Sequence, residues 1–355
     1  MDQPLVSLLA ASTQAQKDPR LFPPEQLDQW LSLILDYAQG FETFGSLPDY
    51  IPELAQVDPD QRAISLAFLH GSTHHAGNAS QTPVTIQSVV KPFLYLFALS
   101  LGINPEAIAA IEAPALPFHS DPTLSSLGEP RRPGHPLNNA GAISAAGFLE
   151  DLEPFQAFLG QLMGQDPPLV NESVFSSEMG HNANNRALAY RLVVTGRFST
   201  LAQAENALMR YTRACALEVT TTSLTRAGLV LANGGRGPGG LVVAQDLVVR
   251  TLNAMNTFGL YDHTAELSLL AAGARALSCK SGVGGLILNI DPNRGACCTF
   301  GPKLDSKGNS VFGTIALIFL NALLSAPQAL RLAPETVAEL LKQKFGPVAA
   351  KRPDP

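Results

Sequence analysis

Cysteine is scarce in this chain: Cys215, Cys279, Cys297 and Cys298 are the four in 355 residues, and they fall in no metal-ligand spacing. Two are adjacent in an apolar run, and all four read as reduced core thiols of a cytoplasmic protein. There is no basic excess either. The net charge of −6 and the pI near 5.6 argue against nucleic acid or an anionic membrane surface as a partner. The longest apolar runs, near Val89–Leu101 and Val311–Leu324, fall short of the roughly 20 residues of a membrane span and read as buried helices. Met1-Asp2-Gln3-Pro4 lacks the basic n-region and long apolar core of a signal peptide. His70 and His74 are four apart but lie in an expected hairpin with no Glu between them, so neither a metal site nor a cofactor is expected. Gly234–Gly240 is glycine-rich but follows no strand, which excludes a phosphate-cradling loop and leaves a flexible connection. No internal repeat and no low-complexity run is visible.

What is present is a globular composition, 46% hydrophobic and 15% charged, in a chain long enough for one large domain or two intertwined lobes. A helix is expected over Glu25–Gln39, with Leu27, Trp30, Leu31, Ile34 and Leu35 on one stripe, and the loop-like Gly45–Asp60 follows. Arg62–Leu69 and Thr73–Ala76 read as a hairpin turning at His70-Gly71-Ser72. After a central helix, Asn104-Pro105-Glu106 starts another, and the proline-rich stretch 113–138 reads as a long functional loop. Apolar spacing places helices near 141–149, 154–163, 184–195, 200–210, 220–232 and 244–256. Gly284–Asp291 and Gly295–Phe300 form a second hairpin, followed by helices at 311–324 and 334–344. Strands at both ends of a helical block imply an α+β fold: one antiparallel sheet flanked by helices, with the middle of the chain as a helical lobe. The expected organisation is an N-terminal helical extension over 1–40, a catalytic domain over 41–325 (sheet from 60–80 and 280–302, helical lobe about 104–258) and a C-terminal helix and tail over 326–355.

The chemistry-bearing stretch is Gln87-Ser88-Val89-Val90-Lys91-Pro92, where a Ser and a Lys three positions apart open the apolar central helix. Residues i and i+3 share a helix face, so the amine can reach the hydroxyl. Burial would lower the lysine pKa toward neutrality, and a neutral amine can accept the hydroxyl proton. Ser88 and Lys91 are thus a candidate nucleophile and base of the S-x-x-K type, a pattern that arises about once by chance in a chain this long. Lys280-Ser281-Gly282-Val283, downstream and just before a strand, is a variant of the K-T-G element that accompanies such pairs. An edge strand there would offer backbone N–H groups to a substrate carbonyl; an ordinary polar turn is the other reading. Glu178, Asn182, Asn184 and Asn185 suit a zwitterionic substrate, although pattern alone favours an Asn-rich capping loop. Tyr50, Tyr211 and Tyr261 are candidate proton relays or carboxylate binders, and each is otherwise an ordinary core or surface tyrosine.

Taken in order, several stretches together resemble the serine-dependent glutaminase family. They are Asp49-Tyr50-Ile51-Pro52-Glu53-Leu54, Gln87–Pro92, Asn139-Ala140-Gly141-Ala142, Ser177-Glu178 and Asn185-Arg186-Ala187-Leu188-Ala189-Tyr190. They continue with Tyr211, Glu218-Val219-Thr220, Leu231-Ala232-Asn233-Gly234-Gly235, Gly259-Leu260-Tyr261-Asp262, Lys280–Val283 and Asp305–Ser310, so that the likeness covers Gly45 to Leu324. The resemblance implies a β-lactamase-like catalytic domain and hydrolysis of L-glutamine to L-glutamate and ammonia. It makes Ser88 the nucleophile and Lys91 its base, with the Ser88 and Val283 amides as oxyanion hole. Asn139, Glu178, Asn185 and Tyr211 would hold the amino-acid end, and Tyr50 and Tyr261 the reacting end. It also implies a homo-oligomer, a tetramer or dimer.

Three segments depart from the family pattern: Ile111–Leu116, Met179–Asn184 and Ala265. They bear on affinity, regulation and subunit contacts rather than on acylation. Two other readings stand beside this one. One is a different S-x-x-K hydrolase acting on a peptide or lactam, although no Ser-Asp-Asn or Tyr-x-Asn element is evident. The other is a non-catalytic amino-acid-binding relative that kept the cleft.

Overall fold

Alternating apolar residues in two distant parts of the chain build one sheet. A computed structural model describes residues 24–103, 134–260, 264 and 278–325. Strands β1 (Ala63–Phe68) and β2 (Thr73–Gly77) come from the first hairpin, and β8 (Leu286–Asp291) and β9 (Gly295–Phe300) from the second. Two short strands, β3 (Val84–Thr85) and β4 (Glu218–Val219), pair with each other, as do β5 (Arg236–Gly237) and β6 (Gly240–Leu241). With β7 (Ser278–Ser281), the five-stranded sheet runs β2-β1-β9-β8-β7, antiparallel at every pairing. The join is β1 against β9, with Ala63 opposite Phe300 and Phe68 opposite Gly295. Both expected hairpins and their assembly into one sheet are therefore present.

Apolar side chains project from both faces, so helices cover both. On one face Ile64, Leu66, Phe68, Ile287 and Cys297 pack under α1 (Pro24–Gln39) and α11 (Val311–Ser325). The stripe Leu27, Trp30, Leu31 and Ile34 supplies the α1 side of that layer, and each is at most 1% exposed. On the other face Ala63, Leu286, Leu288, Ile290 and Cys298 meet the helical lobe through Leu224 and Leu231 of α9 (Thr221–Ala232).

Ahead of β1 the chain forms α2 (Pro52–Ala55), and between β1 and α9 it forms α3 (Val90–Ser100), α4 (Asn139–Ala146) and α5 (Glu153–Met163). It continues through α6 (Glu172–Gly180), α7 (Ala183–Val194) and α8 (Leu201–Cys215), and α10 (Gln245–Phe258) follows α9. All six helices expected within 141–256 are there. Three elements differ from expectation. Residues 172–180 form a helix where a polar loop is expected, Lys280 and Ser281 lie inside a strand rather than ahead of one, and the glycine-rich connection closes as the β5–β6 hairpin. The helices expected from Asn104 and at 334–344, most of the 113–138 stretch, Ile111–Leu116, Tyr261 and Ala265 lie outside the described residues. Among the described residues no helix is long and apolar enough to cross a membrane.

Candidate active site

The nucleophile candidate sits where three parts of the fold meet. Strand β3 pairs with β4, and the Ile86 N–H donates to the Leu217 carbonyl at 2.8 Å, so the chain enters the central helix already anchored to the helical lobe. Gln87–Val89 form a 3₁₀ turn that runs straight into α3. In a 3₁₀ turn side chains at i and i+3 eclipse, which favours the approach of Ser88 and Lys91. Gln87 has φ +49°, a left-handed backbone that costs a non-glycine residue about 1–2 kcal/mol and that clusters at functional sites.

Helix α3 is apolar on every face, and Lys91 is carried into the interior with it at 2% exposure. Burial lowers its pKa to about 8, which leaves an appreciable neutral fraction near neutral pH. The Lys91 Nζ donates to Asn139 Oδ1 at 2.6 Å. Two further basic groups share this interior. Lys280 is fully buried and held well below the usual lysine range by burial and by Lys91. His135, stacked on the Phe258 ring at 4.1 Å, is pushed down to about 4 by burial and by the two lysines.

The helical lobe delivers the polar groups. Asn138 caps α4 by accepting from the Gly141 N–H at 2.7 Å, which puts Asn139 at the first helical position. Asn139 Nδ2 donates to Asn185 Oδ1 of α7 at 2.8 Å, and the Tyr211 hydroxyl of α8 donates to Asn139 Oδ1 at 3.4 Å. Lysine, two asparagines and tyrosine thus form one connected network. Glu178 lies in the last turn of α6 and accepts from the Tyr50 hydroxyl at 3.4 Å. Desolvation raises its pKa to about 7, against the stabilising hydrogen bonds of Gln87 and Tyr50. The negative end of the α6 dipole acts in the same sense, and a bound cation there would relieve both.

These groups face one cavity of about 470 Å³. Of the residues singled out from sequence, Tyr50, Ser88, Asn139, Glu178, Asn185, Tyr211 and Val283 line it, with Asn182 and Asn184 beside them. Lys91 lies beneath it, joined through Asn139. Ile51, Gln87, His181, Thr212, Cys215 and Lys307 also line it and were not expected as site residues. A helical reading carries a signal for Cys215, one turn beyond Tyr211 on α8, where i and i+4 share a face. Gln87 carries one through its place beside Ser88. Lys307 and Thr212 are placed by tertiary structure alone.

The Lys280–Val283 run reaches the same place from the sheet. Strand β7, rather than the strand expected to follow the motif, is the edge of the sheet, and the chain leaves it at Gly282. A Cβ on Gly282 would stand 3.1 Å from the Ile86 carbonyl and 3.2 Å from the Ser88 nitrogen, so glycine permits close approach of the two backbones. Among the described residues no backbone carbonyl takes the Val283 N–H, and Val283 lines the same cavity as Ser88. The arrangement offers a hydroxyl, a buried amine of lowered pKa, backbone donors and a carboxylate, the parts of an acyl-transfer site. Among the described residues there is no cluster of side chains that could hold a metal.

Comparison with known proteins bears on this site. The family model described as Glutaminase matches residues 45–326. Glutaminase 1 of Bradyrhizobium diazoefficiens is 38% identical over 282 residues, covering 77% of this chain and 44% of that protein. The glutaminase of Aeromonas hydrophila is 34% identical over 302 residues, covering 82% of this chain and 95% of that one. This chain therefore spans less than half the length of the Bradyrhizobium relative and nearly all of the Aeromonas one. Among solved structures, a probable glutaminase from Bacillus subtilis complexed with 6-diazo-5-oxo-L-norleucine superposes with a TM-score of 0.74 at 28% identity, covering 84% of this chain and 96% of that one. A covalent complex of a Bacillus subtilis glutaminase with 5-oxo-L-norleucine, formed by reaction with that compound, gives 0.73 at 28% identity, covering 84% and 99%. The antiparallel sheet between helices is the β-lactamase-like fold of these neighbours.

Proposed function

The chain belongs to the glutaminase family, and from that premise we propose that it hydrolyses L-glutamine to L-glutamate and ammonia through a glutamyl ester on Ser88. The observation that carries the reading is the convergence on one cavity of Ser88, the Asn139–Asn185–Tyr211 network tied to Lys91, and Glu178. Glu178 receives the α-ammonium, and Asn139, Asn185 and Tyr211 hold the α-carboxylate end. This sets the side-chain amide against Ser88. Lys91, its pKa lowered by burial and its amine oriented by the hydrogen bond to Asn139, accepts the hydroxyl proton in its neutral form as Oγ bonds to the amide carbon. The Ser88 and Val283 N–H groups take the oxyanion. The proton passes to the amide nitrogen through Lys91 and Tyr261, the C–N bond breaks, and ammonia leaves. Water then attacks the ester, and Ser88 recovers its proton as glutamate is released. Tyr50 closes the reacting end.

The buried thiols and the acidic charge support a cytoplasmic setting, and the likeness to the family supports a homo-oligomer, tetramer or dimer. The test is ammonia release from L-glutamine by the intact chain and by Ser88→Ala, beside a chromogenic lactam and a glutamate-binding titration. Turnover of glutamine alone, abolished in the variant while glutamate still binds, is the expected result. Glutamine turnover at the normal rate by Ser88→Ala would falsify the assignment. Lactam turnover without glutamine turnover favours the peptide or lactam hydrolase, and binding without turnover of either favours a non-catalytic relative.

A further inference from the structure

One motif remains that the acylation chemistry does not use. The turn Asp305-Ser306-Lys307-Gly308-Asn309-Ser310 lies far from Ser88 in sequence, and although Lys307 lines the cavity, the acylation steps above assign the turn no part. Its centre is nevertheless one of the most buried polar side chains in the protein: Asn309 is 1% exposed. The turn is tied to itself through Asp305, whose carboxylate accepts from the Lys307 N–H at 2.8 Å and the Asn309 N–H at 3.0 Å. The Asp305 N–H in turn donates to the Asn309 carbonyl at 2.8 Å. So the backbone of Asn309 is fixed before its side chain makes any contact.

That side chain then joins two other segments. Its Oδ1 accepts from the Ser281 hydroxyl at 2.6 Å, and its Nδ2 donates to the Leu260 carbonyl at 3.5 Å. Ser281 is 0% exposed and is not among the residues that line the cavity, so its hydroxyl is engaged in the interior rather than with a substrate. The preceding carbonyl, Gly259, accepts from the Ser281 N–H at 3.2 Å and from Lys280 Nζ at 3.3 Å. Successive carbonyls of the 259–260 segment are thus each held by the end of β7 or by the turn. The packing is close enough that a Cβ on Gly259 would stand 1.7 Å from the Cys279 carbonyl. On the cavity side, a Cβ on Gly308 would touch Val283 Cγ1 at 3.5 Å, so the turn also backs the residue that offers the second oxyanion donor.

We propose that Asn309 is a positioning residue that, through Ser281, holds the exit of β7 so that the Val283 N–H faces the oxyanion formed at Ser88. The inference rests on the acylation reading above. A donor displaced from the oxyanion costs rate at the chemical step while leaving the amino-acid end of the substrate where it was. It predicts a split between kcat and KM that a merely structural role would not give.

The experiment compares the intact chain with Asn309→Ala, Ser281→Ala, the double variant and Ser88→Ala, measuring kcat and KM for L-glutamine and Kd for L-glutamate. Asn309→Ala should lose about 100-fold in kcat, in the range seen when one oxyanion donor is removed. Its KM and glutamate Kd should stay within about threefold. Ser281→Ala should lose about tenfold in kcat, and the double variant should be no worse than Asn309→Ala, because both act through one hydrogen bond. Wild-type kcat in both single variants, a rise in KM equal to the loss in kcat, or losses that multiply in the double variant would each overturn the proposal. If Asn309→Ala does not fold, Ser281→Ala alone decides by the same criteria. Should Ser88→Ala retain turnover, the acylation reading itself fails; an inactive Ser88→Ala beside fully active Asn309 and Ser281 variants removes only the clamp.

Discussion

A carboxylate at the C-terminal end of a helix, half-buried and facing other polar side chains, is in the wrong place to be charged. Glu178 is such a group, and burial raises it to about 7 in the free protein. Lys91 is displaced in the complementary sense, down to about 8, by the same cause. The displacement of Glu178 disfavours its ionised form, whereas that of Lys91 favours its neutral form. In the proposed reaction binding uses ionised Glu178 and attack uses neutral Lys91, so each loses its working form as pH falls. For the free enzyme, log kcat/KM should rise with pH at a slope approaching two below about 7, fall to a slope of one between 7 and 8, and then level off. In the substrate complex the ammonium holds Glu178 ionised, so kcat should show the Lys91 limb alone. Glu178→Gln removes one titration: the slope below 7 should become one, and KM should rise about 10- to 100-fold through loss of a charge-assisted contact of about 1.5–3 kcal/mol. A steady-state pH profile of the two proteins checks this, and a slope of two surviving in the Gln variant would take Glu178 out of the binding site. Linkage gives the stability side with the opposite consequence. The folded pKa of Glu178 is raised, so its ionisation costs the fold stability as pH climbs through about 7, which Glu178→Gln avoids.

The helix that carries this carboxylate is also the one that apolar periodicity does not reveal. Along α6 only Val174 is fully buried, so the 3.6-residue stripe that betrays the other helices is missing. Its start is fixed instead by the Asn171 N-cap, whose Oδ1 accepts from the Val174 N–H at 3.0 Å. The element is placed by polar contacts rather than by a core stripe. Asn171 Nδ2 donates to Glu218 Oε1 at 3.0 Å, the Asn171 N–H to the Ala216 carbonyl at 2.8 Å, and Ser177 Oγ to Glu53 Oε1 of α2 at 2.7 Å. A helix held in this way should be loosened by one cap substitution. Asn171→Ala should cost about 1–2 kcal/mol in a urea titration and raise KM several-fold, because Glu178 sits seven residues along the same helix, with kcat little changed. Should stability fall while KM stays put, α6 does not need its cap to aim Glu178.

At the scale of the whole molecule, what could be read from the chain was the part governed by alternation and by apolar stripes. Both hairpins, their union in one sheet and the helical lobe follow from those periods. Strand β7 does not, because Ser278, Cys279, Lys280 and Ser281 are all buried and three of them are polar. Such a strand reads as a turn until its partners are known: Asn256 for Ser278, the Gly259 and Ser281 carbonyls for Lys280, and Asn309 for Ser281. The site divides along the same line. Ser88 and Lys91 are candidates from spacing on one helix, and Asn185 and Tyr211 from residue type with an ordinary reading beside each, whereas Asn139 enters only through resemblance, since no local period joins residues on three helices. The topology also sets where the molecule is rigid. Strands β1 and β9 are bonded on both sides, and their pairing closes a loop of more than 200 residues, so their amides should exchange only through global unfolding. Beyond the end of β7, the Val283 N–H stands outside the ladder and should exchange fast in the free protein. Saturation with L-glutamate, whose side-chain carboxylate would stand where the glutamine amide stands in the proposed reaction, should slow Val283 at least tenfold and leave β1 and β9 unchanged. Hydrogen exchange resolved to single residues decides it. Protection appearing at Asn185 and Tyr211 but not at Val283 would mean that the donor faces elsewhere, and the sheet edge would then have no part in the chemistry.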